Sequence, residues 1–111
     1  MEAYAIAKSI RMSAYKVRRV LSLIRKLSVF EAREILKYMP GAAAPRVLKV
    51  LNSAIANFKN KNSGIDENSL IVTSAVADEG PTMKRIISRS QGRAERINKR
   101  TCTIKISVGS Y

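Results

Sequence analysis

About two dozen polar and basic residues, Asp78 to Thr101, separate two β-rich segments, and this stretch constrains the fold more than any other feature. Leu70-Ile71-Val72-Thr73-Ser74-Ala75-Val76-Ala77 precedes it. After it, Ile104, Ile106 and Val108 alternate with Thr103, Lys105 and Ser107, the period of a half-buried strand. A structureless loop that long is uncommon in a compact domain unless it is functional. The better reading is that both strands continue outward into a long hairpin with its tip near Ser90 to Glu95. At about 3.3 Å per residue, arms of roughly ten residues project on the order of 30 Å. Such an arm buries no core of its own, and two strands alone are marginal in water. It needs something to lie against, and its charge makes that a polyanion.

The first half reads differently. Tyr4, Ile6, Lys8 and Ile10 share one face of a short strand. Ser13 is a good N-cap, and Val17, Val20, Leu21 and Ile24 follow at helical spacing. Lys16, Arg18, Arg19 and Arg25 fall off that stripe. Ser28 with Glu31 forms a capping box, opening a second helix that carries Ala32, Ile35 and Leu36 inward and runs to about Tyr38. Pro40-Gly41 stops it. Pro45 fits only a first turn, so a third helix starts near Ala42 or Ala43. Its stripe is Leu48, Leu51, Ile55 and Phe58, and Asn60-Lys61-Asn62-Ser63-Gly64 ends it. The expected fold is therefore α+β: a three-helix body packed on a small antiparallel β-sheet, with a long protruding basic β-hairpin. The 111 residues form a single domain, with body 1–79 and 101–111 and arm about 80–100.

Charge follows the same division. The chain has 21 Lys+Arg against 8 Asp+Glu, a formal +13. Lys8, Arg11, Lys16, Arg18, Arg19, Arg25 and Lys26 form a first block with no acid between them. Lys84, Arg85, Arg89, Arg93, Arg96, Lys99 and Arg100 form a second, facing only Glu95. Between the blocks, basic and acidic residues balance. A charge needed only for solubility would not be segregated in this way, so the middle reads as the body and the blocks as working surfaces. Lys and Arg neutralise phosphates and release counterions, and Arg adds a planar fork for bidentate contact and stacking. No aromatic residue lies from Lys84 to Arg100, so backbone and shape recognition of folded RNA fits better than a stacking platform.

Other classes fare worse. With no histidine and one cysteine, Cys102, the chain lacks the usual general base, a zinc set and an intramolecular disulfide. Asp66-Glu67 and Asp78-Glu79 read as solvated turn residues. No phosphate-cradling glycine loop is present. Neither enzymatic activity nor a cofactor or metal is expected. No apolar run approaches the roughly 18 residues of a spanning helix, and Met1 to Ala7 lacks the features of a secretory signal, so a soluble, intracellular protein with no membrane partner is expected. A nucleoid protein or nucleic-acid chaperone is one alternative and should bind duplex DNA as well as RNA. A peripheral membrane module is another, but Val17 to Ile24 lacks bulky interfacial aromatics.

Five blocks carry a resemblance. They are Arg11-Met12-Ser13-Ala14-Tyr15-Lys16-Val17-Arg18-Arg19-Val20, Leu51-Asn52-Ser53-Ala54-Ile55-Ala56-Asn57, Asp78-Glu79-Gly80-Pro81-Thr82-Met83-Lys84-Arg85, Gly92-Arg93-Ala94 and Lys99-Arg100-Thr101. In this order and spacing the chain resembles the large-subunit ribosomal protein L-twenty-two family of the bacterial type. The resemblance implies a body at the outer surface of the large subunit and a hairpin threaded through ribosomal RNA to the wall of the peptide exit tunnel. It implies as partners large-subunit rRNA, neighbouring large-subunit ribosomal proteins and the nascent peptide, and a part in subunit assembly. By the same resemblance Arg11, Lys16, Arg18 and Arg19 hold rRNA at the globular end. Met83-Lys84-Arg85 lie on the segment linked to macrolide response, and Ser90, Gln91, Gly92, Arg93 and Ala94 form the tunnel-facing tip. Ser53 and Asn57 match positions of helix packing and capping. Lys26 stands where a helix-ending glycine is common. Gln91, Cys102 and Arg11-Met12-Ser13 look closer to cyanobacterial and plastid members, favouring a ribosome of the plastid stroma over the bacterial cytoplasm.

Overall fold

The computed structural model describes residues 2–61, 64, 69–80, 83–88 and 94–110. Strand β1 (Glu2–Ile10) leads into helices α1 (Ala14–Ile24), α2 (Val29–Tyr38) and α3 (Ala43–Lys61). Strands β2 (Leu70–Glu79), β3 (Met83–Ser88), β4 (Ala94–Lys99) and β5 (Cys102–Ser110) follow. β1, β5 and β2 form an antiparallel sheet in that order, with β5 central, and β3 pairs with β4 in a separate two-stranded ladder. The three helices cover one face of the sheet, giving the expected α+β architecture. No helix among the described residues is long and apolar enough to cross a membrane.

Local signals set the helix ends. The hydroxyl of Ser13 accepts from the Lys16 N–H, and that of Ser28 from the Glu31 N–H, so each serine satisfies an amide that has no partner inside its helix. Pro45 sits in the first turn of α3, where its missing N–H costs nothing. The core joins Val17, Leu21 and Ile24 of α1, Leu36 of α2 and Leu51, Ile55 and Phe58 of α3 to Ile104, Ile106 and Val108 of β5.

The structure adds one detail to the sequence reading and corrects three. On β1 the buried face is Ala3 and Ala5, while Tyr4 (52% exposed) and Ile6 (45%) lie outside. Helix α3 packs over this strand, and the β1 residues buried beneath the surface are alanines. On α3 Val47 and Val50 complete the stripe and Leu48 is only half-buried, because α3 is buried over a wider arc than one row of residues. On α2 the inward positions are Val29, Ala32 and Leu36, and Ile35 stands 36% exposed. Asp78 and Glu79 lie not in a turn but at the end of β2, paired with Thr103 and Cys102.

Two irregularities tune the sheet. Burial on β2 runs Leu70, Val72, then Ala75, Ala77, and the register against β5 slips between Val72 and Ser74. The extra residue, Thr73, donates its hydroxyl to the Ser107 carbonyl, so the bulge keeps all four side chains on the core face. β1 slips between Ala7 and Ile10, where Ser9 takes φ 58°.

The sheet runs on into the arm. Past the pairing of Glu79 with Cys102, the Gly80 N–H donates to the Thr101 carbonyl at 2.9 Å. The ladder resumes with Met83 opposite Lys99. One strand advances three residues while the other advances two, so the register moves by one at the root of the arm. The molecule extends 65 Å by 25 Å by 15 Å with a radius of gyration of 17.1 Å, against about 13 Å for a compact chain of this length. Arg89 to Arg93, where the tip of the hairpin is expected, lie outside the described residues.

Cys102 is the first residue of β5 and is fully buried. Burial pushes its thiol pKa up, and the positive charges of Arg46 and Arg18 only partly oppose this. The group stays a neutral, inert thiol in the core.

Two positions are tightly specified by the backbone. A Cβ on Gly80 would lie 2.6 Å from the Thr101 hydroxyl oxygen, and Thr101 is itself buried. Gly80→Ala should therefore destabilise the protein by about 1–3 kcal/mol. In a double-mutant cycle read by chemical denaturation, Thr101→Ala should recover part of that loss; purely additive effects would show that the contact is not the cause. Lys26, just past the C-cap of α1, holds φ 63°, which costs a residue with a Cβ about 1–2 kcal/mol. Lys26→Gly should raise the denaturation midpoint, and Lys26→Val should lower it.

Candidate nucleic-acid interface

Helix α1 carries its basic residues on two flanks of the apolar stripe, and the flanks do different things. Arg18 and Arg25 are seven residues apart, so they fall on the same flank two turns apart. That flank lies along the outer edge of β2. Arg18 Nε donates to the Ala77 carbonyl at 2.9 Å and Arg25 Nε to the Ala75 carbonyl at 2.8 Å. Just beyond α1, the Lys26 N–H donates to Val72 O and the Val72 N–H to Leu27 O, both at 2.9 Å. Ser28 then bridges Ile71. The α1–α2 connection and two guanidiniums together occupy the edge of β2, which would otherwise offer unpaired backbone groups to another chain.

The other flank is free. Lys16 and Arg19 are exposed, and no described residue bonds or pairs with their side-chain charges. They border an open cleft of about 590 Å³ between α1 and the Met39–Ala43 connection. Lys8 and Arg11, on β1 and its exit, are also exposed, with no side-chain partner among the described residues. The first basic block thus divides. Arg18 and Arg25 spend their Nε atoms on the fold, while the side chains of Lys8, Arg11, Lys16 and Arg19 are exposed and meet no partner among the described residues.

The second block lies on the arm. By register, Met83 pairs with Lys99, Lys84 with Asn98, Arg85 with Ile97, Ile86 with Arg96 and Ile87 with Glu95. Lys84, Arg85, Arg96 and Lys99 therefore occupy both strands of one ladder, with Glu95 as the single acid. Arg100 is exposed at the root, between β4 and β5. Ala94 opens β4 opposite Ser88. Arg89, Ser90, Gln91, Gly92 and Arg93 lie outside the described residues.

Two other polar contacts concern the fold. Asn57 of α3 donates to the Tyr4 carbonyl at 2.9 Å, tying α3 to β1. Arg33 Nε donates to Asn52 Oδ1 at 3.1 Å, linking α2 to α3. Among the described residues no cluster of three or more His, Cys, Asp or Glu gathers as metal ligands would. Sequence reasoning missed the edge-capping role of Arg18 and Arg25; their seven-residue spacing was its only local trace. It missed the cleft entirely, because the cleft joins segments that are distant in the chain.

The chain matches the family model described as ribosomal protein L22p/L17e over residues 5–109. It is 52% identical to the large ribosomal subunit protein uL22 of Nostoc punctiforme over 109 residues, covering 98% of this chain and 92% of that one. It is 54% identical to the uL22 proteins of Thermoanaerobacter sp. and Clostridium novyi over 108 residues, covering 97% of this chain and 96% of each relative.

The split between flanks has a direct consequence for stability. Arg18→Ala or Arg25→Ala should cost the free protein about 1–2 kcal/mol, because each removes a charged donor from a part-buried carbonyl. Lys16→Ala and Arg19→Ala should stay within about 0.5 kcal/mol of the parent. Equal losses on both flanks in urea denaturation would contradict the division.

Proposed function

The chain belongs to the ribosomal protein L22p/L17e family, and from that membership we propose that it is a structural constituent of the large ribosomal subunit that binds rRNA with its body and its arm. The observation that carries this reading is the distribution of positive charge. Lys8, Arg11, Lys16 and Arg19 are exposed on the body with no partner among the described residues, and Lys84, Arg85, Arg96 and Lys99 repeat along a two-stranded ladder. A narrow, doubly basic ladder repels itself, and a surrounding polyanion supplies the compensating contact. Arg18 and Arg25 contribute through the guanidinium nitrogens left after their bonds to β2. Arg100 and the residues toward the tip, Arg89 and Arg93, extend the same surface.

The proposal includes the arm's destination. The hairpin lines the nascent-peptide exit tunnel, with Ser90, Gln91, Gly92, Arg93 and Ala94 at its tip. The body meets neighbouring large-subunit proteins, and both parts support subunit assembly. Such a role is architectural, with no reaction catalysed and no cofactor. We place the ribosome in a plastid stroma, on the cyanobacterial and plastid character of Gln91 and Cys102. A bacterial cytoplasmic ribosome is the second reading, and it is favoured by the Thermoanaerobacter relative matching at least as well as the Nostoc one.

The protein should co-sediment with large subunits in moderate salt, and its absence from them would refute the proposal. The double change Arg89→Ala with Arg93→Ala should leave the free protein within about 0.5 kcal/mol of the parent in thermal unfolding. The same change should lower the yield of mature large subunits. A large loss of thermal stability would instead place these arginines in the fold.

A further inference from the structure

The cleft beside the free flank of α1 has a composition that phosphate binding alone does not require. Its rim carries Lys16 and Arg19, its walls include Met12, Leu23 and Met39, and no acidic residue lines it. Two of the chain's four methionines are thus placed together at one surface opening, and Leu23 is 54% exposed there. Thioethers and a leucine side chain give soft, polarizable walls suited to a flat aromatic ring. The far wall includes Gly41, at φ 110° with open space where a Cβ would project, so a planar group can approach bare backbone. The volume of about 590 Å³ falls within the roughly 300–1,000 Å³ of small-ligand sites.

The geometry points to a single unstacked nucleotide of the large-subunit rRNA as the occupant, its base between the methionine walls and its phosphate on Lys16 and Arg19. Charge complementarity selects this occupant. Two uncommitted cations with no acid in the lining match an anion attached to an apolar ring. RNA that is read by proteins commonly offers such splayed-out bases, and Arg planes stack on them as well as pairing with phosphate. The inference rests on the rRNA-binding reading above and adds a base contact to what would otherwise be backbone recognition. The sequence favours backbone and shape recognition over a stacking platform on the arm, which lacks aromatic residues; on the body, methionine and leucine take the place of such a platform.

The test uses the full-length protein and large-subunit rRNA transcript, with affinity measured across a salt series. Leu23→Ser keeps the charge and alters an exposed side chain, so folding should be retained, as checked by thermal unfolding. It should weaken binding by about fivefold or more, the scale of one base contact, with the salt slope unchanged. Lys16→Ala with Arg19→Ala should weaken binding and also flatten the slope by about 1.4–1.8. Ultraviolet cross-linking in reconstituted subunits should place a nucleotide adduct on the peptide holding Met12 or Met39. If the parent binds rRNA and Leu23→Ser binds within about twofold of it, the cleft holds no base and the inference falls while the rRNA reading stands. Unchanged rRNA affinity with impaired incorporation into subunits would mean that a neighbouring protein fills the cleft, which also overturns it. If the parent shows no preference for rRNA over duplex DNA, both readings fail together.

Discussion

Arg18 and Arg25 reach from α1 into the carbonyls of Ala77 and Ala75, and the rest of the structure depends on those two contacts and the turn beside them. A three-stranded sheet has two edges, and each edge exposes backbone groups that must find partners. On the β1 side α3 packs close and Asn57 donates to Tyr4. On the β2 side the guanidiniums and the Lys26–Leu27 turn do the work. Arginine suits this position because its planar head donates one nitrogen to a carbonyl while the others stay in water. The charge remains solvated, so the contact avoids the desolvation penalty of a buried ion. The same contacts fix where β2 ends. Ala77 is two residues from Glu79 and three from Gly80, where the arm leaves the body, so the clamp on the edge also anchors the arm's root.

That anchorage explains how so small a body can carry so long a projection. Beyond the sheet the Gly80 N–H bonds the Thr101 carbonyl, β4 is followed after Arg100 and Thr101 by β5, and the β3–β4 ladder resumes with its register moved by one. Thr101 and Cys102 at the root are buried, and β5 is the central strand of the body. The root of the arm is therefore held in the core. Gly80 belongs at this point for a steric reason: a Cβ there would meet the side chain opposite.

Much of this fold was legible in the sequence because its signals are local. Ser13, Ser28 and Pro45 mark helix starts by chemistry that operates within a few residues. The alternation in β5 predicted its buried face because that strand packs against helices along its whole length. Which face of β1 is buried was not legible. Its larger residues, Tyr4 and Ile6, lie outside while Ala3 and Ala5 face the core, and alternation alone cannot say which face a helix will cover. The division of labour among the basic residues was equally hidden. Arg18 and Arg19 are adjacent and chemically identical, yet one bonds a carbonyl 59 residues away and the other faces open solvent.

Charge segregation alone identifies surfaces, but it does not say which cations are available. In this protein the fold itself consumes part of the positive charge that seemed to belong wholly to a partner. A basic residue on a helix flank that meets a sheet edge will bond the edge first, because that contact is intramolecular and is made on folding. The residues left for RNA are those whose flank meets nothing, and on α1 these are Lys16 and Arg19. Counting cations thus overstates the contacts a small basic protein makes, and the excess depends on how many open edges its sheets must close. On the arm, Lys84, Arg85, Arg96 and Lys99 share a ladder only two strands wide, so the edge-closing role that Arg18 and Arg25 play on β2 belongs to the body, where a helix flank meets a sheet edge.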